Sequence, residues 1–155
     1  DYIKMYGNIN PIPRLTSWFG DSGKGYTYSG IVMSPNDWTD ELISIKSKLE
    51  EKVEIKFNSL LLNLYKDGND HVAWHADDEK ELGEDVIIAS VSFGEKRDFQ
   101  LRHKTDTTVE KINIPLEHGS LLLMFPPTQE NWLHQLPRRK KVNKPRINLT
   151  FRKII

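Results

Sequence analysis

The sequence predicts a mostly β fold of the α+β class, in which one α-helix packs against an antiparallel β-sandwich or barrel. One segment near residue 40 has apolar residues at helical spacing, and six later segments alternate with a period of two. Glycines and a Pro-Pro pair separate these segments. The 155 residues correspond to the length of one domain, so we expect a single domain over residues 1–155.

The helix is expected to run from Ser34 to about Glu51. Ser34 can cap its N-terminus, and Pro35 suits the first helical position because an N–H there would have no partner in the helix. An apolar stripe follows at spacings of 4, 3 and 4 residues, formed by Trp38, Leu42, Ile45 and Leu49. Such a stripe predicts a helix with one buried face.

The other elements are predicted as strands joined by turns. The first thirty residues are rich in Gly, Pro, Tyr and Asn, which favours turns and short strands. After the helix, the alternating segments are Phe57–Tyr65, Val86–Phe93, Asp98–His103, Val109–Ile114, Ser120–Phe125 and Arg146–Lys153. Gly94, Gly119 and the pair Pro126-Pro127 lie between them.

Composition excludes several classes of protein. The chain has no cysteine, so disulfide scaffolds, cysteine nucleophiles and iron–sulfur sites are excluded, and any metal must be bound by His, Asp and Glu. No apolar run approaches the ~20 residues that a membrane helix needs. We therefore expect an intracellular protein with no membrane partner, nuclear if eukaryotic and cytoplasmic if bacterial.

Charge is unevenly distributed along the chain. Lys plus Arg and Asp plus Glu number 22 each, but residues 131–155 contain eight Lys or Arg and no Asp or Glu. A basic segment on a neutral chain can bind a polyanion. On charge alone, a solvated surface is the more common explanation.

His75-Ala76-Asp77 is the first candidate site. In an extended backbone, residues i and i+2 point to the same side, so His75 and Asp77 could bind one metal ion together. His134, at a later strand end, could be the third ligand. Two histidines and one carboxylate leave open positions, which suits non-haem Fe(II) that also binds a co-substrate and oxygen. A surface histidine beside an acidic loop is the more common reason for a lone His-x-Asp pattern.

The segment from Arg146 to Arg152 is the second candidate. On a strand, Ile147, Leu149 and Phe151 share one side. The opposite side consists of Arg146, Asn148, Thr150 and Arg152. Two arginines on a barrel wall are costly unless they meet anions, and a small dicarboxylate would bind both. A sheet with one solvated face is the alternative.

Asn63 and Tyr65 form the third candidate, because they lie on a mostly apolar strand face. An amide and a phenol there need hydrogen-bond partners. A ligand carboxylate is one possibility, and backbone or water is the more usual one.

These patterns, in this order, resemble the AlkB-type Fe(II)/2-oxoglutarate-dependent dioxygenases from about Ile3 to Ile154. The family pattern is matched by Asn63-x-Tyr65, His75-x-Asp77, His134, Arg146-x-Asn148-x-Thr150-x-Arg152, Ser90-Val91-Ser92-Phe93-Gly94 and His118-Gly119-Ser120-Leu121. The chain is most similar to the AlkB homologues that repair alkylated double-stranded DNA. That closer similarity is carried by Tyr65-Lys66-Asp67-Gly68, Asp77-Asp78-Glu79 and Arg139-Lys140-Lys141-Val142.

The resemblance implies a double-stranded β-helix (jelly roll) with its supporting helix over residues 34–155 and an N-terminal nucleotide-recognition lid over residues 1–33. It implies oxidative repair of 1-methyladenine and 3-methylcytosine with Fe(II), 2-oxoglutarate and O2, releasing succinate, CO2 and formaldehyde. The catalytic iron ligands would be His75, Asp77 and His134. The carboxylates of 2-oxoglutarate would pair with Arg146 and Arg152, and further hydrogen bonds would come from Asn63, Tyr65 and Asn148.

The resemblance also assigns residues to the nucleic acid, in which the damaged base must be flipped out or unpaired. Tyr6 would fill the gap left by that base, and Arg14 would lie near the gap. The positions that match those contacting the flipped base are Tyr26, Tyr28, Ser29 and Glu79. Phosphate contacts would come from Arg138, Arg139, Lys140 and Lys141.

The expected partner is alkylated DNA, in double-stranded form, and the expected oligomeric state is a monomer. Two alternatives stay open. The same chemistry could act on single-stranded DNA or RNA, and the stretch Lys104–Lys111 looks shorter than the matching loop of the double-strand homologues. The chain could also be a non-catalytic nucleic-acid-binding module, although such a module would need neither the triad nor both arginines.

Overall fold

The computed structural model describes the backbone of residues 2–5, 8–28 and 31–155, and the side chains of residues 12–25, 27, 32 and 34–155. The strands in these ranges are β1 (Tyr2–Met5), β2 (Asn8–Pro11), β3 (Leu15–Gly20), β4 (Tyr26–Tyr28), β5 (Ile31–Met33), β6 (Ser59–Tyr65), β7 (Val72–His75), β8 (Ile88–Gly94), β9 (Arg97–His103), β10 (Ile112–Leu116), β11 (Leu121–Met124), β12 (Trp132–Leu136) and β13 (Arg146–Arg152). The helices are α1 (Asp40–Val53) and α2 (Thr128–Asn131), with a short 3-10 turn at Lys80–Leu82.

The strands form two main antiparallel sheets. The five-stranded sheet has the order β11-β8-β13-β6-β3, and the four-stranded sheet has the order β10-β9-β12-β7. The strands β1 and β2 pair in a separate two-stranded antiparallel sheet, as do β4 and β5. Neighbours in the main sheets are mostly distant in sequence, which is the arrangement of a jelly roll and confirms the predicted fold class.

Two apolar layers hold the fold together. Between the two sheets, Leu61 and Ile88 of one sheet pack with Phe99 and Leu101 of the other. On the outer face of the five-stranded sheet, the stripe of α1 packs against β6, β8 and β13. Burial of each large apolar side chain contributes about 1.5–3 kcal/mol. β13 is therefore buried on both faces, which excludes the alternative of a sheet with one solvated face.

The helix begins later than predicted, at Asp40 instead of Ser34, and Thr39 is its N-cap. The preceding segment is extended because Asn36 forms an isolated bridge with β3, and its N–H donates to the Trp18 carbonyl oxygen at 2.8 Å. A contact with a distant strand thus overrides the local cap signal.

The predicted strand Val109–Ile114 also begins later, at Ile112. Before it, His103 Nδ1 accepts a hydrogen bond from the Asp106 N–H at 2.9 Å, which closes a loop. The strands β7 and β12 lie outside the alternating segments found in the sequence. In the described part of the chain, no helix combines the length and apolar character needed to cross a membrane.

Candidate metal centre and co-substrate pocket

Two neighbouring strands of the four-stranded sheet bring the predicted metal ligands together. His75 ends β7 and pairs with His134 in β12, and Asp77 lies two residues after the end of β7. The nearest oxygen of Asp77, Oδ1, lies 3.5 Å from His75 Nε2 and 3.9 Å from His134 Nε2. One ligand atom from each residue lies within 4.8 Å of the other two. The strand register thus assembles the triad that the sequence predicts.

Asp77 is buried and ionised. Burial alone would raise the pKa of its carboxyl group, but the positive charge of Arg152, together with the two histidines, holds that pKa well below its usual range. Arg152 donates from Nε and Nη2 to Asp77 Oδ2, at 3.1 and 2.5 Å. Oδ1 accepts no hydrogen bond from any described residue. One carboxylate oxygen therefore stays available to a metal ion.

Both histidines suit the role of neutral ligands. Burial of His134, with His75 beside it, lowers the pKa of His134 to about 3. His75 Nδ1 lies 2.8 Å from the Ala73 carbonyl oxygen, so it donates there and leaves the Nε2 lone pair facing Asp77. Phe99 stacks on the His134 ring with centroids 5.2 Å apart. Two imidazole nitrogens and one carboxylate oxygen fit Fe(II) with open coordination positions.

Arg146 lies in the same cavity and is almost fully buried. It donates from Nη2 to Ser92 Oγ at 2.8 Å, and its guanidinium carbon lies 5.3 Å from the centre of the Tyr65 ring. Its Nε is buried without an acceptor in the described part of the chain. A buried guanidinium donor without an acceptor is costly, so this site fits a carboxylate of 2-oxoglutarate.

Serine and amide side chains fix the rest of this wall. Asn148 donates from Nδ2 to Ser90 Oγ at 2.7 Å, and its Oδ1 accepts from Thr150 Oγ1 at 2.7 Å. Asn63 Oδ1 accepts from Arg14 Nε at 2.8 Å. These bonds hold the polar side chains of β6 and β13 in fixed orientations before any ligand binds.

The triad and the polar face of β13 line one cavity between the two sheets. Its empty space is about 540 Å³, including a part that opens to solvent. The polar lining residues are Arg14, Asn63, Tyr65, His75, Asp77, Ser90, His134, Gln135, Arg146, Asn148, Thr150 and Arg152. All the predicted metal and 2-oxoglutarate residues therefore line one cavity. Arg152 pairs with Asp77 in this structure, so its contact with 2-oxoglutarate stays a prediction.

The predicted substrate residues are only partly within the described structure. Tyr6 and Ser29 lie outside the described residues, as do the side chains of Tyr26 and Tyr28. Their contacts with a flipped base stay predictions. Glu79 is half-buried two residues after Asp77.

Arg14 is buried in the wall of the cavity instead of lying on an open surface. Besides its bond to Asn63, it donates from Nη1 to the His71 carbonyl oxygen at 3.4 Å. Its predicted position near a DNA gap stays a prediction.

The basic loop, residues 137–142, carries the four predicted phosphate ligands. Arg138, Lys140 and Lys141 are exposed. Arg138 donates from Nε to His71 Nδ1 at 3.2 Å but has no acidic partner among the described residues, whereas Arg139 donates from Nε and Nη2 to Asp98 Oδ2 at 2.8 and 2.7 Å. Three of the four side chains are therefore available to a polyanion, and the fourth has its charge balanced.

Sequence reasoning assigned no role to several residues that shape the site. Ser90 and Ser92, which were matched only as part of a family motif, hold Asn148 and Arg146, and their i, i+2 spacing on a predicted strand is a signal that could have indicated this role. Gln129 contacts Asp77 from the short helix α2, and no periodicity in the sequence points to it.

Comparison with known proteins agrees with this geometry. A family model described as the 2OG-Fe(II) oxygenase superfamily matches residues 6–152. A jelly roll with a His-Asp-His triad beside buried arginines is the site expected of that class, and the chain belongs to the 2OG-Fe(II) oxygenase superfamily.

Within that superfamily the chain is AlkB-like. It is 45% identical over 159 aligned positions to mouse "DNA oxidative demethylase ALKBH2", covering 99% of this chain and 66% of that protein. It is 47% identical over 152 positions to mouse "Alpha-ketoglutarate-dependent dioxygenase alkB homolog 3", covering 93% of this chain and 52% of that protein. The chain thus spans between about half and two thirds of the length of these relatives.

A solved structure supports the fold. The structure of OsALKBH1 matches with a TM-score of 0.62 and 19% sequence identity, covering 89% of this chain and 77% of that one. At this identity the likeness concerns the fold alone. The family membership supplies the cofactors, which are Fe(II), 2-oxoglutarate and O2, and the triad and Arg146 fit the first two.

Proposed function

We propose that the chain is an oxidative demethylase that removes N-methyl groups from bases of alkylated DNA, preferentially in double-stranded form. The observation that carries the proposal is the convergence of His75, Asp77 and His134 in one cavity with the buried Arg146. The name of a 45% identical relative, DNA oxidative demethylase, supports the substrate class.

Fe(II) bound by the triad would, with 2-oxoglutarate and O2, supply the oxidation of the N-methyl group, giving succinate, CO2 and formaldehyde. The side chains of this chain bind and orient the reactants. Arg146 would donate from Nε to a carboxylate of 2-oxoglutarate while Ser92 holds its Nη2. Arg152 keeps Asp77 ionised in its buried position.

The proposed substrates are 1-methyladenine and 3-methylcytosine, whose methyl groups lie on the pairing edge of the base. The base must therefore leave the duplex before it can react. In this proposal the segment 1–33 is the recognition lid, with Tyr26 and Tyr28 stacking on the flipped base and Tyr6 filling the gap. Glu79 would accept a hydrogen bond from the exocyclic amine.

Double-stranded DNA is proposed because of the basic loop. Its exposed Arg138, Lys140 and Lys141 lie in a segment of the chain without acidic residues. Exposed cations of this kind bind phosphates without reading sequence. A second strand offers these cations additional phosphates.

The test is mass spectrometry of oligonucleotides that carry 1-methyladenine or 3-methylcytosine, each as a duplex and as a single strand. We expect loss of the methyl group with Fe(II), 2-oxoglutarate and O2, and faster loss in the duplex. The matched control is His134→Ala, which should leave both substrates intact. Retention of the methyl group in all four substrates would contradict the proposal.

One observation favours the alternative of single-stranded DNA or RNA. The loop between β9 and β10 comprises residues 104–111, the stretch that looks shorter than the matching loop of the double-strand homologues, and its own hydrogen bonds close it, including that from the Thr108 N–H to Asp106 Oδ1 at 2.9 Å. If that loop grips DNA in those homologues, part of the grip is missing here. Demethylation restricted to the single-stranded oligonucleotides, or to methylated RNA, would establish this alternative.

A further inference from the structure

We propose that Gln129 is a positioning residue of the metal centre, which fixes the backbone of Asp77 so that the carboxylate stays directed at the metal. Gln129 lies in α2 and is 4% exposed. Its Oε1 accepts a hydrogen bond from the Asp77 N–H at 2.9 Å. The inference depends on the triad as a metal site and not on the nature of the substrate.

Asp77 needs such support because it follows β7 and lies outside the paired strands. His75 and His134 are fixed by their pairing across the sheet, whereas the N–H of Asp77 has a side chain as its partner. The bond from Arg152 orients Oδ2 of the carboxylate, and the bond from Gln129 fixes the main chain that carries it. Together the two bonds leave Oδ1 facing the histidines.

The helix α2 is held in place by Lys104, which follows β9 and also contacts the segment after β7. Lys104 donates from Nζ to the Gln129 carbonyl oxygen at 2.7 Å and lies 3.6 Å from Asp78 Oδ2. The Lys104 N–H donates to the Asn131 carbonyl oxygen at 2.8 Å. These contacts fix the position of α2, so the Gln129 side chain accepts the Asp77 N–H from a fixed point of the main chain.

Partners that orient metal ligands typically contribute 10–100-fold to metal affinity. The experiment measures Mn(II) affinity by calorimetry in the intact chain, with Mn(II) as a redox-stable probe of the site. In Gln129→Met the side chain keeps its length but loses the acceptor, and we expect Mn(II) affinity to fall by about 10–100-fold. Gln129→Glu keeps an acceptor oxygen, so its affinity should equal or exceed that of the wild type.

The matched control is Asn113→Leu, which removes an amide acceptor on β10, where Asn113 Oδ1 accepts from Gln100 Nε2 at 3.1 Å. It should leave Mn(II) affinity unchanged. An unchanged affinity in Gln129→Met, or an equal loss in Gln129→Glu, would overturn the inference, since packing alone would then explain the residue. If Gln129→Met does not fold, Gln129→Asn takes its place, because the shorter amide does not reach the Asp77 N–H. Mn(II) affinity should then fall in Gln129→Asn, and an affinity equal to that of the wild type would overturn the inference.

The outcome is independent of DNA demethylation. A wild-type protein that binds no Mn(II) or Fe(II) would contradict the metal centre itself. A wild-type protein that binds metal but is inactive on DNA would contradict the proposed function. The role of Gln129 would then still be decided by the Mn(II) affinities of its variants.

Discussion

The metal and co-substrate pocket and the basic loop differ in which atoms the structure fixes. In the pocket, side chains project from paired strands and have buried partners, as Arg152 has Asp77 and Arg146 has Ser92. In the basic loop the main chain is held, while the charged ends of Arg138, Lys140 and Lys141 are exposed.

The main chain of the basic loop is held by hydrogen bonds to Gly68 and to Arg97. The Gly68 N–H donates to the Val142 carbonyl oxygen at 2.9 Å, and the Gly68 carbonyl accepts from the Arg139 N–H at 2.8 Å. The fully buried Arg97 donates to the carbonyl oxygens of Asp67, Asp70 and Pro137 at 3.0, 2.9 and 2.9 Å. Arg97 thus ties the loop to the segment that follows β6.

The difference matches what each region has to do. Oxidation at a defined atom requires ligands that are fixed before the reactants bind. Attraction of phosphates acts over several ångströms and depends mainly on the number of nearby cations. Changes in the pocket should therefore abolish chemistry, whereas changes in the basic loop should weaken binding in steps.

The largest effect is expected from loss of a metal ligand. His134→Ala and Asp77→Asn should reduce demethylation of a methylated oligonucleotide below detection, because two ligands hold iron poorly and in the wrong geometry. Asparagine is chosen at Asp77 because its amide oxygen can still accept a hydrogen bond from Arg152, whereas alanine would leave that buried guanidinium without an acceptor there. Turnover comparable to the wild type, with iron present, would exclude the triad.

The next effect concerns the co-substrate. Arg146→Gln should weaken 2-oxoglutarate binding by about 2–5 kcal/mol, by analogy with buried charge pairs, because one carboxylate loses its charged partner. The measurement is a calorimetric titration with 2-oxoglutarate in the presence of Mn(II). Mn(II) affinity alone should stay near that of the wild type. An unchanged 2-oxoglutarate affinity would make Arg146 a purely structural residue.

An intermediate effect, on duplex affinity, is expected from a substitution at Gly68, to which the basic loop is hydrogen-bonded. In Gly68→Ala the new Cβ would lie 1.8 Å from the Arg139 carbonyl oxygen, so the loop must move. We expect duplex affinity to fall by roughly tenfold, close to the value of one hydrogen bond to a charged group, while Mn(II) affinity is kept. Gly119→Ala is the control for a strained glycine substitution away from the loop: its φ of +77° disfavours alanine, although the new Cβ would meet no described atom within 4 Å, and duplex affinity should be kept. Equal duplex affinity in Gly68→Ala and wild type would show that the position of the loop is unimportant.

Single charges in the basic loop should have smaller and unequal effects. Arg138→Gln should reduce the slope of log K against log salt by about 0.9, the value for one lost phosphate contact. Arg139→Gln should reduce it less, because Asp98 already balances that charge. Filter-binding assays at several salt concentrations measure both slopes. Equal slopes in the two variants would contradict the distinction between exposed and paired arginines.

The smallest effect is expected from the ion pair between Asp98 and Arg139. Despite partial burial, which acts in the opposite direction, hydrogen bonds from Arg139 and Asn113 lower the pKa of Asp98. The folded pKa is therefore below the unfolded one, so the pair stabilises the fold above about pH 4 and this stabilisation is lost as the pH falls further. At pH 7, Asp98→Asn should cost up to about 1 kcal/mol because the pair is partly exposed. Urea unfolding should show that cost disappearing in acid, and a cost independent of pH would refute the assignment.

The two regions also differ in how far the sequence predicts them. The period-two pattern of Arg146–Arg152 predicts both faces of β13, and the i, i+2 spacing of His75 and Asp77 predicts a shared site, because strand geometry is a local property. The start of α1 was predicted wrongly because Asn36 bonds to a strand that is distant in sequence. The roles of Gln129 and Arg97 likewise depend on tertiary contacts, which no local pattern encodes.

The central claim is that the triad and Arg146 form one site for Fe(II) and 2-oxoglutarate. It is tested most directly by an anaerobic absorption titration of the protein with Fe(II) and then 2-oxoglutarate. The account predicts a weak visible charge-transfer band that requires both additions, saturates at one equivalent of each, and is lost in His134→Ala. A protein that binds Fe(II) and gives no such band at any concentration of 2-oxoglutarate would contradict it.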